Sequence, residues 1–170
     1  MAANVTLPLG EGIRRIDVET SAELSVAVRS AATQARVVIM AAAVADFRPA
    51  VVSATKIKKR GSAITLELVP TEDILAGLVR DRTDGQVIVG FAAETGDDDG
   101  SVLDHGRAKA RRKGADLLVV NAVGEGIGFG DVDNAVTMVD AAGEQVASRT
   151  GSKLTVAHAI LDRLSSLLAT

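Results

Sequence analysis

Arg36–Ala43, RVVIMAAA, is an unbroken apolar run behind a single charge, and its reading decides the fold. A short run of this kind, without alternation, suits a parallel strand buried on both faces. Two more runs share the pattern, Gln86–Phe91 (QVIVGF) and Asp116–Val120 (DLLVV). Helical stretches lie around them. Thr20 or Ser21 caps one that reaches about Thr33, with Glu23 in its first turn. Thr71 caps a second, with Glu72 and Asp73 in the first turn, where carboxylates suit the helix dipole. Ser101–Lys113 is a third, stopped by Gly114 as its C′ residue. Further out, Gly12–Val18 reads as a short strand, Val44–Thr55 as a loop, and Ala63–Val69 as a strand with one wet face. Beyond the third apolar run come a Gly-rich loop, Ala122–Asp133, and two segments, Ala135–Asp140 and Glu144–Arg149, that flank Ala-Ala-Gly as a hairpin. Ser152 opens a last amphipathic helix, Lys153–Leu168. Buried strands alternating with helices predict βαβ units and a mostly parallel sheet, with ligands beyond the carboxyl ends of the strands.

The whole chain of 170 residues, 47% apolar, fits one domain with one core. Nineteen basic against 22 acidic side chains leave a net charge of −3, which argues against binding a nucleic-acid backbone. There is no cysteine, which removes disulfides, zinc–thiolate sites and thiol nucleophiles. His105 and His158 are too far apart to read as a ligand pair or a catalytic dyad. Met1–Gly10 lacks the basic and apolar regions of a secretion signal, and no run of roughly 18 apolar residues could span a membrane, so a cytoplasmic protein is expected.

The three buried runs nominate Ala42–Phe47, Phe91–Thr95 and Asn121 as neighbours on one rim. With no Trp or Tyr, the chain has three aromatic residues, Phe47, Phe91 and Phe129, and all fall there. They either close the end of a core or form a wall for a ring-bearing ligand. Asp46, at a strand end, is the candidate for specific polar recognition, whereas Asp97–Asp99 reads as a solvated loop. Lys56-Ile57-Lys58-Lys59-Arg60 is the densest positive charge. It is either an edge blunted by lysines or an arm that brings ammonium groups to a polyphosphate. Lys109 and Lys113 stand four apart on one helix and repel slightly, a conflict that an anionic ligand would remove. Glycines at 124, 126, 128 and 130 do not make a dinucleotide fingerprint, which argues against a nicotinamide or flavin oxidoreductase.

Taken together, AAAVADFRPA with KIKK ten residues after Asp46, EDILAGL, VGFAAET, the Lys109/Lys113 pair and DLLVVNAV resemble the phosphopantothenate–cysteine ligase family. This is the synthetase half of the bifunctional coenzyme A biosynthesis protein of bacteria. The resemblance covers nearly the whole chain and implies a Rossmann-like fold, a homodimer, and use of CTP with Mg²⁺, with no metal ligand assigned. It implies 4′-phosphopantothenate and L-cysteine as substrates, joined through an acyl-cytidylate. By position, Met40, Ala41 and Ala42 would line the nucleotide by backbone. Asp46 would contact it, and Lys56 would meet the triphosphate or the acyl-phosphate intermediate as the catalytic lysine. Glu72, Asp73, Ile74 and Leu75 would offer main-chain contacts at a helix start, although Thr71-Glu72-Asp73 replaces the usual Asn-Pro-Asp. Phe91 would face the cytosine, and Lys109 and Lys113 the phosphates. The opening elements of that family, with a GGTREP-like turn and an Asn thought to handle the acyl-cytidylate, have no counterpart in these residues. Nor has the flavin-dependent decarboxylase half. The expectation is therefore a single, N-terminally truncated synthetase-type domain over 1–170. The alternative is a catalytically incomplete nucleotide-binding or assembly module.

Overall fold

The computed structural model of the chain describes residues 1–5, 8, 10–59, 61, 63–123 and 133–169. In chain order the elements are β1 (Ala2–Ala3), β2 (Asp17–Val18), α1 (Ser21–Ala32), β3 (Val37–Met40), β4 (Phe47–Pro49), β5 (Leu68–Pro70) and α2 (Ile74–Arg80). They continue as β6 (Val87–Glu94), α3 (Val102–Lys113), β7 (Leu117–Ala122), β8 (Asn134–Val139), β9 (Gln145–Gly151) and α4 (Lys153–Leu168). The chain divides into two compact units, one of Met1–Val28 with Ala43–Ile74 and the other of Arg29–Ala42 with Leu75–Thr170. No helix among the described residues is long and apolar enough to cross a membrane.

The larger unit is built on a five-stranded sheet in the order β3-β6-β7-β8-β9. β3, β6 and β7 pair in parallel, and the β8–β9 hairpin adds on antiparallel to β7. Two successive antiparallel steps bring β9 back to the direction of β7, so four of the five strands run one way. This is an α/β, Rossmann-like architecture with helices on both faces and a C-terminal hairpin plus helix, as expected. Side chains alternate across the strands. Val89, Leu117, Val119, Val136 and Met138 form one face and meet Val156, Ile160 and Leu164 of α4. On the other face two glycines permit close approach. A Cβ on Gly90 of β6 would lie 2.5 Å from Leu75 of α2, and one on Gly106 of α3 would lie 2.6 Å from Val120 of β7. The caps explain where α3 stops and starts. Ser101 and Asp104 form a reciprocal capping box, and Gly114 closes the helix in the left-handed region at φ 70°. α4 begins at Ser152, whose Oγ accepts from the Thr155 amide at 3.2 Å.

Strand burial differs from the sequence reading at β3. β6 and β7, central in the sheet, are buried as expected, but Ile39 of β3 is 43% exposed. β3 is an edge strand, paired among the described residues with β6 alone, and an apolar run alone does not distinguish edge from centre.

The smaller unit corrects four further expectations. The Gly12–Val18 strand shrinks to Asp17–Val18, paired in parallel with Ala2–Ala3. The Val44–Thr55 loop contains β4, and of Ala63–Val69 only the end joins β5, antiparallel to β4. Ile64 and Leu66 are both more than 60% exposed, because alternation shows which residues share a face and not whether a layer covers it. The cap of α1 is as read. Thr20 Oγ1 accepts from the Glu23 amide at 3.1 Å, and Glu23 accepts in return from the Glu19 and Thr20 amides, which holds its carboxyl below the usual range. Thr71 is not a cap, since α2 starts only at Ile74. Its amide instead donates to the Asp46 carbonyl at 2.8 Å, and Glu72 accepts from Ser25 Oγ at 2.7 Å.

Candidate functional site

The carboxyl ends of the parallel strands β3, β6 and β7 gather Met40, Glu94 and Ala122 on one edge of the sheet. This edge is where an open α/β sheet binds its ligand. Register places Met40 opposite Gly90, Phe91 opposite Val119, and Asn121 opposite Ala93. Phe91 does not end its strand as expected, because β6 continues to Glu94. Its ring is half-buried against the α4 core. Asn121 shares that face, one pleat nearer the edge, and its buried Oδ1 has no hydrogen-bond partner among the described residues. A buried acceptor without a partner is uncommon, and it is available to a ligand donor.

Glu94 stands on the opposite face, toward α3. There Ser101, His105, Lys109 and Lys113 follow at intervals of four along the helix and so share one side. Lys109 Nζ donates to Glu94 Oε1 with both side chains largely buried. Lys113 is half-buried at the last helical position. His105 Nε2 lies 2.7 Å from Asp97 Oδ1, which also accepts from the amides of Asp99 and Gly100. The Asp97 hydrogen bond raises the His105 pKa above its ordinary value, with Glu94 and Asp104 adding attraction. The same contact lowers Asp97. Asp97 is thus a structural acceptor that folds its turn, while Asp98 and Asp99 are exposed.

A ligand that met both Phe91 and Lys109 would cross the carboxyl edge of the sheet, since the two lie on opposite faces. The arrangement offers an apolar ring and a polar acceptor on one side and a row of cationic groups on the other.

The remaining sequence candidates fall in two places. Ala41 and Ala42 follow β3 and are exposed, as is Met40 in part. Leu75 is buried at the start of α2, against Gly90. In the smaller unit Asp46 is exposed just before β4, and its carbonyl ties it to Thr71, beside Glu72 and Asp73. Ile74 is buried there. Lys56, Lys58 and Lys59 are exposed and lie outside any strand or helix. Arg60, Phe129 and the glycines at 124, 126, 128 and 130 lie outside the described residues.

Two residues stand out that the sequence reading gave no role, Glu94 and His105. The parity of β6 puts Glu94 on the Gly90 face, and the spacing of four puts His105 in line with Lys109, so both positions were within reach of pattern alone.

At the amino end of β6 a cavity of about 250 Å³ is lined by Arg29, Leu78, Asp81 and Gln86 among others. Its polar groups are already matched. Arg29 pairs with Asp81, and Gln86 Nε2 donates to the Ala32 and Ala35 carbonyls at 2.7 and 2.6 Å.

The chain matches, over residues 1–168, the family described as DNA/pantothenate metabolism flavoprotein C-terminal domain. It is 47% identical to the coenzyme A biosynthesis bifunctional protein CoaBC of Mycolicibacterium smegmatis, over 98% of this chain and 44% of that protein. It is 38% identical to CoaBC of Vibrio cholerae, over 92% of this chain and 39% of that protein. A crystal structure of the C-terminal domain of CoaBC superposes with a TM-score of 0.73 at 30% identity, covering 96% of this chain and 70% of that one. The chain spans less than half the length of the curated relatives it matches.

Proposed function

The chain belongs to the DNA/pantothenate metabolism flavoprotein C-terminal domain family, and from that premise we propose that it serves coenzyme A biosynthesis as a CTP-dependent phosphopantothenate–cysteine ligase. The observation that carries this reading is the row of His105, Lys109 and Lys113 on α3 beside the carboxyl edge of the sheet. In the proposed reaction the carboxylate of 4′-phosphopantothenate attacks the α-phosphate of CTP, and pyrophosphate leaves. The cysteine amine then attacks the acyl carbon of the acyl-cytidylate, CMP leaves, and the amide forms. Transfer at phosphorus asks the protein for position and charge neutralisation more than for covalent help.

Lys109 and Lys113 would take phosphate oxygens, and Lys56 would steady the negative charge that develops at the α-phosphate and the acyl-phosphate. Phe91 would give the cytosine an apolar face, and Asn121 Oδ1 would accept from its amino group. Met40, Ala41, Ala42 and Leu75 would approach by backbone, and Asp46, Glu72, Asp73 and Ile74 would complete the nucleotide contacts. Among the described residues no group of three or more His, Asp or Glu side chains is arranged for a metal ion. That fits Mg²⁺ held chiefly by the triphosphate, since Mg²⁺ keeps several waters and needs few protein ligands. When bound, it would neutralise the departing pyrophosphate. A second copy of the chain and a flavin-dependent decarboxylase domain are the proposed partners.

The test is pyrophosphate release from CTP. Sustained release that requires both 4′-phosphopantothenate and cysteine is the expected result. CTP binding without release would mark the chain as the catalytically incomplete module instead. Equal stabilisation by ATP and CTP in a thermal-shift series would overturn the cytosine preference.

A further inference from the structure

Glu94 is the carboxylate in direct contact with Lys109, in the middle of the cationic row of α3. It ends β6, its side chain is only 16% exposed, and it holds the ammonium of Lys109, whose side chain is 30% exposed. Its charge also bears on His105, the neighbouring member of the row. A carboxylate at this place works against an anion site, because it neutralises the charge that would attract the anion. We propose that Glu94 is an exchangeable counter-ion that stands in for a phosphate of the ligand, keeps Lys109 neutralised in the empty site, and thereby sets the affinity for polyphosphate. The inference rests on the reading of Lys109 as a phosphate ligand.

The physical argument is one of linkage. A partly buried ammonium without a partner is unfavourable, so the empty site is stabilised by the Glu94–Lys109 pair. When a polyphosphate takes the ammonium, that pair must break, and two like charges face each other across it. Glu94 therefore favours the empty state, and a group that favours one state lowers affinity for whatever binds the other. Removing its charge while keeping its shape leaves Lys109 uncompensated in the empty site and free for the anion. Binding should tighten, and release of the pyrophosphate product should slow. A group that merely aimed Lys109 at its ligand would have the opposite signature, because its loss would weaken binding.

The experiment is a calorimetric titration of the 170-residue chain with inorganic pyrophosphate at pH 8 and moderate salt. Five proteins are compared: wild type, Glu94→Gln, Glu94→Asp, Lys109→Gln and the double variant Glu94→Gln/Lys109→Gln. Glu94→Gln should bind pyrophosphate about 3- to 10-fold more tightly than wild type. Glu94→Asp keeps the charge and should stay within about twofold of wild type. The gain should vanish in Glu94→Gln combined with Lys109→Gln, because it acts through that ammonium. Without ligand, Glu94→Gln should melt below wild type. Equal or weaker pyrophosphate binding by Glu94→Gln would overturn the proposal, as would a gain that survives loss of Lys109. The ligase reading fails by a separate measurement, CTP selectivity and pyrophosphate release, so either can fall while the other stands.

Discussion

Replacing Gly106 by alanine sets two effects of opposite sign against each other. On helix propensity alone the change should stabilise α3 by about 1 kcal/mol, because glycine loses more backbone freedom than alanine in a helix interior. The structure reverses that expectation. An added Cβ would stand 2.6 Å from Val120 Cγ2 and 2.9 Å from Cγ1. Real Cβ atoms do not approach so closely, so either α3 or β7 must move. Val120 cannot yield cheaply. It is 1% exposed, β-branched and therefore stiff at χ1, and it sits in a strand with partners on both sides. Overpacking of this kind costs about 3 kcal/mol, the upper end of the usual range, which leaves a net loss of about 2 kcal/mol. Urea unfolding should show a lower midpoint at an unchanged slope. Val120→Ala in the same chain should recover part of the loss, since it empties the space the new methyl needs. The displacement of α3 should also weaken polyphosphate binding, because Lys109 and Lys113 ride on that helix. A Gly106→Ala protein as stable as wild type would show that α3 does not sit on β7 at this distance, and the placement of the lysine row would fall with it.

Three more outcomes follow from single residues. Lys56→Gln should cut the rate of pyrophosphate release roughly 100-fold, as loss of a transition-state charge contact does, with no change in melting temperature, because Lys56 is exposed and outside any strand or helix. Release at the wild-type rate would show that Lys56 takes no part in the reaction. Asp116→Ala should destabilise by about 1–3 kcal/mol in urea unfolding. It would remove the 2.8 Å acceptor of the Ile88 amide, buried at the start of β6, along with the partner of Arg82. The His105–Asp97 pair makes stability depend on pH in a defined sense. His105 is raised above 6.5, so its contribution is complete below that value and is lost as pH rises through the raised one. Asp97 is lowered below 3.8, so its contribution is present above that value and is lost as pH falls through the lowered one. Wild type should lose melting temperature as pH climbs above 6.5, and a pH series on His105→Gln should show a flatter profile.

Much of the larger unit was legible because its signals are local. QVIVGF and DLLVV are central strands, Ser101 and Gly114 bound α3, and Ser152 opens α4 as read. The errors share a physical cause. RVVIMAAA has the composition of a central strand but lies at the sheet edge, and a pairing order is a long-range fact that no short window carries. In the smaller unit, Ala63–Val69 alternates cleanly yet is mostly exposed and mostly outside a strand, because alternation shows which residues share a face and not whether a layer covers it. Thr71 looked like a cap because it is a Thr before two acids. The helix starts three positions later, at Ile74, and the Thr71 amide donates to the Asp46 carbonyl, 25 positions earlier, a long-range contact that no short window carries. At the site, spacing found the Lys109/Lys113 pair, and parity alone could have put Glu94 on the Gly90 face; that α3 covers this face is the long-range fact the pattern does not carry.

Calorimetric titration with CTP–Mg²⁺ and ATP–Mg²⁺, on wild type and on Lys109→Gln/Lys113→Gln, tests the central claim most directly. The account predicts that wild type binds CTP more tightly than ATP. The double variant should lose about tenfold or more in CTP affinity, and without ligand it should melt below wild type, because it breaks the Glu94–Lys109 pair. Equal affinity for the two nucleotides, or CTP binding untouched by loss of both lysines, would contradict it.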